Sequence, residues 1–308
     1  MSSLALCLLR GRDDADPPHA RRAPRLSVHA KGSFIYLQLW FQGRAASLKV
    51  LQADNPAAEV VSASDVPMEG GDKPRPLTEA ELAGITRDYA AAARAFVERA
   101  GGDGVEIHMA NGYLLHQFLD TNANRRADRY GGSVPNRARF PLEVAAAVTA
   151  AVGPSKVGIR FAPFTTFQGM GMPKADREET YLYMLEQLKA AYPSLAYIHL
   201  VEPRICVSDE VDVAEGDSLE FLTEAWAPRP ILLAGGYKEA DAEPITSATP
   251  NSVAVYGRAF ISNPDLVARI KHNVPFTPYD RSTFYLVGPE QAEGYTTYPV
   301  VYGPEGKL

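Results

Sequence analysis

The segment GVEIHMANGYLLHQF places His108, Asn111 and Tyr113 within six residues, where an apolar run gives way to a loop and then a short helix. His and Asn side chains at such a junction can both donate hydrogen bonds to one carbonyl oxygen, holding the negative charge that grows there as an enolate forms. A tyrosine, with an ordinary pKa of about 10, is protonated at neutral pH and suits delivery of a proton to a carbanion-like carbon. The same spacing fits equally well a strand-end histidine satisfied by its neighbours and a half-buried tyrosine. His116 lies eight residues beyond His108, not at the i, i+4 spacing of helical metal ligands, so no metal site is expected. His19, His29, His199 and His272 read as incidental.

Three other groups carry chemical potential. Arg160 ends the apolar run VGIRF and precedes the loop APFTTFQGMGM, which contains Phe167 and has the hydroxyls, amide and aromatics of a ligand-facing loop. A strand-end arginine sets a fixed cation beside an electron-rich ring, or pairs internally with a strand carboxylate. Gln38 interrupts YLQLW, and a buried amide there needs either neighbouring backbone or a polar ligand edge. Gly235 and Gly236 follow ILLA, while Gly257 and Arg258 follow SVAVY. Glycines let backbone N–H groups approach an anion and Arg258 adds charge, although tight turns alone also favour glycine.

These residues fall at the ends of short β-branched or aromatic runs, at residues 34–40, 105–108, 157–161, 196–201, 231–234 and 252–256. Helical patterns lie between them, at 78–100, 136–152, 176–191, 218–225 and 264–273, the first opened by a Thr-Glu-Ala-Glu capping box. Such alternation signals parallel strands with crossover helices. No dinucleotide-binding G-x-G-x-x-G follows the first strand and no P-loop occurs, so a (β/α)8-type barrel is expected rather than an open nucleotide-binding sheet. Barrels of that kind bind phosphate in the loops after their last two strands. Residues 42–76 are long for a link and predict a small hairpin or lid within a single barrel domain spanning 26–308.

Composition narrows the class. In 308 residues, 31 Lys+Arg stand against 37 Asp+Glu, and the net charge of −6 gives no footprint for nucleic acid or an anionic membrane. The apolar run at residues 4–9 is too short for a signal peptide or a span. Residues 1–25 read as a disordered or atypical N-terminal segment. Two cysteines, Cys7 and Cys206, make no disulfide framework, and a reducing, cytoplasmic compartment is expected.

Taken together, VHAKGSFIYLQLW, EIHMANGYLLHQFLDTNANRRADRYGGSVPNRARF, GIRFAPFTTFQGMGM, HLVEPR, VYGRAFISNPDL and YDRSTFY resemble the Old Yellow Enzyme family of FMN-dependent ene-reductases, in its fungal branch, over residues 28–308. The resemblance implies that His108 and Asn111 bind the substrate's carbonyl or nitro oxygen and that Tyr113 delivers a proton, which makes the reaction a reduction rather than an isomerisation. It also implies that Gln38 reads the flavin pyrimidine edge, and that Arg160 sits by N1/C2 and stabilises the reduced ring. Gly235, Gly236, Gly257 and Arg258 would hold the phosphate, and Phe167 and Tyr285 would line the substrate pocket. NADPH would reduce FMN and leave, and an enone-type substrate would enter the same pocket, in a ping-pong cycle. The six strands correspond to strands three to eight of that barrel. The first two, with the family's Pro-Leu-Thr segment under the flavin, have no counterpart in residues 1–25. An incomplete barrel is therefore expected, as a monomer or homodimer able to associate through its open edge. Besides the reductase, this leaves a remnant that binds FMN weakly or not at all, or a member dedicated to one substrate of secondary metabolism.

Overall fold

Six strands form one parallel sheet in simple sequence order: β1 (Tyr36–Leu39), β2 (Gly104–Met109), β3 (Val157–Phe161), β4 (Tyr197–Val201), β5 (Ile231–Ala234) and β6 (Ser252–Val255). Each lies on or within a residue or two of an apolar run in the sequence. The computed structural model describes residues 27–206, 209–210, 212–286, 292–303 and 306–307, so the segment 1–25 lies outside the described residues. Every neighbouring pair in the sheet is parallel, with Gln38 opposite Glu106, His108 opposite Arg160, and Arg160 opposite His199.

Helices cross between the strands: α1 (Leu48–Asp54), α2 (Glu79–Arg94), α3 (Leu114–Leu119), α4 (Val134–Val152), α5 (Lys174–Ala191), α6 (Glu220–Trp226), α7 (Ala242–Ala248), α8 (Arg258–Ser262) and α9 (Leu266–Lys271). The expected capping box opens α2, since Thr78 accepts from the Glu81 N–H while Glu81 accepts from the Thr78 N–H. The helix then widens into a π-helical stretch, Ala95–Ala100, and ends in left-handed Gly101.

Alternation along the strands separates two environments. Val105, Ile107 and Met109, with Val157, Ile159, Phe161, Ile198, Leu200, Ile231 and Leu233, belong to the main apolar core that the helices cover. The opposite face carries Gln38, Glu106, His108, Arg160 and His199. At its lower end Tyr36 and Tyr197 pack with ring centroids 5.6 Å apart. Only glycine fits beneath them: a Cβ at Gly104 would come within 2.3 Å of the Tyr36 ring, and one at Gly158 within 2.2 Å of Tyr197.

In the 42–76 link, where a hairpin or lid is expected, the chain forms α1 and a two-residue ladder. Val61–Ser62 and Arg75–Pro76 pair in parallel, so they cannot be the arms of a hairpin. The segment NRRADRYGGSVPNRARF acts as a brace. Arg126 Nη1 donates to the Ala63 and Leu77 carbonyls at 2.9 and 2.8 Å, and Asn124 Nδ2 to those of Phe118 and Tyr130 at 2.7 and 2.8 Å. Arg137, buried at the start of α4, bonds the Leu119 and Gly132 carbonyls and the Thr180 hydroxyl.

Among the described residues β1 and β6 are not paired with each other, so the barrel is open between them. Phe34, just before β1, and Val253, on β6, are 78 and 56% exposed. Among the described residues, no helix is long and apolar enough to cross a membrane.

Candidate active site

The polar face of the sheet gathers groups scattered through 160 residues of sequence. His108, at the end of β2, is buried, and its Nδ1 has no hydrogen-bond partner. Burial, reinforced by the Arg160 charge, holds the imidazole down at about 3, although Glu106 pulls the other way. It is therefore a neutral hydrogen-bonding group at physiological pH. Arg160 stands directly opposite on β3, and its Nε is also buried without a partner. Burial lowers the guanidinium from its usual value while Glu106 and Tyr113 push it back up.

Past β2, Asn111 and Gly112 take successive left-handed conformations, with φ of 54° and 73°. This sharp turn brings Tyr113 back over the strand end. Its ring lies 5.2 Å from His108 and meets Trp40 edge-on at 4.7 Å. Burial raises the Tyr113 pKa, a hydrogen bond with Gln168 and the charge of Arg160 lower it, and the Tyr285 phenol raises it further. Tyr285 is 84% exposed, its ring edge-on to Phe284. Phe167 is 39% exposed, on the same loop as Gln168. Asn111 is half-buried at the turn itself.

Two buried residues, absent from the sequence expectation, fix this loop architecture. Arg44 donates through Nη2 to the Gln168 and Gly169 carbonyls at 2.8 and 3.3 Å, and through Nη1 to the Val66 carbonyl at 3.1 Å. Gln117 takes the Arg44 N–H and the Ser62 hydroxyl on Oε1 and donates Nε2 to the Gly112 carbonyl at 2.7 Å. His116 accepts the Gly112 N–H on Nδ1 at 3.0 Å, so as a neutral ring it donates Nε2–H to the Tyr181 hydroxyl at 3.1 Å. Burial holds His116 at about 4. It is a brace for the turn, in keeping with the absence of metal-ligand spacing. Gln168 itself sits at φ 60°, packed so closely over Gly112 that a Cβ there would approach the Gln168 Cβ to 2.7 Å.

Gln38 departs from expectation. Its side chain is exposed rather than buried, on the edge strand, and its Nε2 donates to Glu106 Oε1 at 2.6 Å. His199, read from sequence as incidental, is buried beside it and shares the same carboxylate, Nδ1 lying 2.9 Å from Glu106 Oε2. The sequence did hold a signal for both: Glu106, His108, Arg160 and His199 are the polar members of strands otherwise apolar, each spaced to face away from the helices.

At the far end of the sheet the ends of β5 and β6 are neighbours, Ala234 pairing with Val255. Gly236 has φ 65°, and a Cβ there would lie 3.3 Å from Arg258 Nη2. Gly235 has a packing reason of its own, since a Cβ would press on Glu202 at 2.6 Å. Gly257 caps α8 with open space around it, and Arg258 lies over the Tyr279 ring at 5.6 Å. Gly235, Gly236, Gly257 and Arg258 thus lie past the ends of two neighbouring strands.

An elongated ligand with a polar ring and an anionic tail fits this layout. Three buried atoms, His108 Nδ1, Arg160 Nε and His199 Nε2, lack partners on the face where the ring would lie. Buried polar groups seldom stay unpaired, and three on one face are groups that a polar ligand edge would satisfy. Among the described residues, no cluster of His, Cys, Asp or Glu could hold a metal.

Residues 23–276 match the model of the NADH:flavin oxidoreductase / NADH oxidase family. The chain is 46% identical over 279 residues to a chanoclavine-I aldehyde reductase of Penicillium roqueforti, covering 88% of this chain and 72% of that protein. It is 42% identical over 280 residues to a probable inactive dehydrogenase of Claviceps fusiformis, with the same coverage of 88 and 72%. Among solved structures it superposes on morphinone reductase with a TM-score of 0.81 at 34% identity, over 94% of this chain and 78% of that one.

Proposed function

The chain belongs to the NADH:flavin oxidoreductase / NADH oxidase family, and from that premise we propose that it is an FMN-dependent, NADPH-oxidising ene-reductase acting on α,β-unsaturated carbonyl compounds. The observation that carries this reading is the juxtaposition of neutral His108, protonated Tyr113 and buried Arg160 on one face, with two of the three holding unpartnered buried nitrogens.

FMN, once bound and reduced by NADPH, supplies the hydride that the β-carbon of the alkene accepts. The residues do the rest. His108 and Asn111 donate to the carbonyl oxygen and stabilise its developing charge, and a neutral imidazole does so without repelling Arg160. Tyr113 holds its proton firmly because burial raises its pKa, and it delivers that proton to the α-carbon. Gln38 and Arg160 bind the polar edge of the cofactor ring, Gly235, Gly236, Gly257 and Arg258 its phosphate. Phe167 and Tyr285, both exposed, would wall the substrate side. The scarcity of cysteines supports a reducing, cytoplasmic setting.

A second reading, a chain that keeps the architecture without the turnover, is favoured by the exposure of Gln38 and the unpaired edges of β1 and β6. The visible spectrum after incubation with FMN and desalting, then with a phenol added, separates the two. A retained flavin band and a new long-wavelength charge-transfer band are expected of the reductase. A colourless protein would overturn it.

A further inference from the structure

Glu106 is the one carboxylate on the polar face of β1–β4, and the strand ladder sets it among Gln38 on one side, His199 on the other and Arg160 above. We propose that Glu106 is a positioning residue for the cofactor, fixing the orientation of the Gln38 amide and supplying a standing counter-charge to Arg160. The inference rests on the FMN reading above and concerns how the site is tuned.

The carboxylate oxygens are divided between two donors. Oε1 accepts from Gln38 Nε2 at 2.6 Å and Oε2 meets His199 Nδ1 at 2.9 Å. Burial alone would raise the Glu106 pKa; the His199 hydrogen bond and charge, the Gln38 amide and Arg160 outweigh it and hold the group at about 2. An ionised carboxylate only accepts, so His199 is the donor through Nδ1; burial lowers that ring from its ordinary pKa while Glu106 pulls it back up.

Two consequences follow for a bound ring. An amide on an exposed edge strand is free to flip, exchanging its oxygen for its nitrogen. With one Nε2 hydrogen captured by a charged acceptor, Gln38 keeps its carbonyl oxygen and its second N–H side by side, complementary to an N–H flanked by a carbonyl, the pattern of a pyrimidine edge. Arg160, in turn, shares its charge with Glu106 before the cofactor gains any. Glu106 therefore moderates the preference of the site for the negatively charged, reduced cofactor.

Two substitutions separate orientation from charge. Glu106→Gln can still bond both neighbours but carries no charge, and it is expected to bind FMN within about threefold of the parent while raising the FMN reduction potential. Glu106→Ala frees the Gln38 amide and is expected to raise the FMN Kd about tenfold, read by flavin-fluorescence titration. Gln38→Ala in that background should then add much less than it does alone. An unchanged or lowered potential in Glu106→Gln, or fully additive Kd effects of the two alanine substitutions, would overturn the proposal. If Glu106→Ala fails to fold, the potential of Glu106→Gln decides. Absence of FMN uptake by the parent chain would instead sink the proposed function itself, and this inference with it.

Discussion

The two ends of the sheet are built to different standards. Around β2, β3 and β4 nearly every residue is buried, and α3 is buried at all its positions from Leu114 to Leu119. Around β6 the strand is half-buried with Val253 exposed, α7 buries no residue, and α8 buries only Ser262. The first half carries the groups assigned to the reaction, and they are fixed by protein contacts alone. The second carries Gly235, Gly236, Gly257 and Arg258, proposed above for an anion, beside elements that bury few of their residues. On the proposed function, the reacting groups belong to the part where the chain packs against itself, and the phosphate contacts to the part that packs least.

The sharpest way to break this comparison is Tyr113→Phe. The expected loss is about 10²–10⁴-fold in alkene reduction, with cofactor reduction by NADPH spared, since the ring still packs against Trp40 and His108. Stopped-flow measurement of both half-reactions checks it, and equal losses in the two would remove Tyr113 from proton delivery.

Acid should damage the preorganised half first. His108 and His116 sit near 3 and 4 in the fold and titrate near their ordinary value when unfolded. Between those limits the unfolded chain binds more protons, so stability falls as pH drops below about 6.5. Each histidine should cost about 2 kcal/mol by pH ~5. The carboxylates held low, Glu81 and Glu106 at about 2, give up their contribution only below their ordinary range, so they do not confuse this window. Urea midpoints at neutral and mildly acid pH measure the slope, and a flat profile would mean that the histidines are not sealed as described.

The smallest effect belongs to the open half. Arg258→Ala is expected to weaken FMN binding about tenfold while leaving riboflavin, which lacks the phosphate, unaffected. Equal weakening of both ligands would place Arg258 in the fold rather than at an anion.

Much of this division was legible in the amino-acid sequence. All six strands and the capping box of α2 are written in local pattern, and His108, Tyr113, Arg160 and Arg258 announce themselves as polar groups at strand ends. Arg44 and Gln117 gave no such signal, because their role is to satisfy carbonyls brought near by tertiary folding: Arg44 reaches 124 positions along the chain to Gln168. Gln38 misled for the opposite reason. Its setting in an apolar strand promised burial, but burial there depends on what lies across an edge that the strand itself does not specify. The partnership of Glu106 and His199, 93 positions apart, is likewise a property of register.

The brace formed by Asn124, Arg126 and Arg137 has a consequence for kinship. The run NRRADRYGGSVPNRARF, part of the longest segment by which this chain resembles its family, donates to carbonyls of Ala63, Leu77, Phe118 and Leu119, none of them assigned to the reaction. A lineage marked by its scaffolding keeps the mark for as long as it folds. Likeness over this run therefore testifies to the architecture, and turnover has to be tested at His108, Asn111 and Tyr113 themselves.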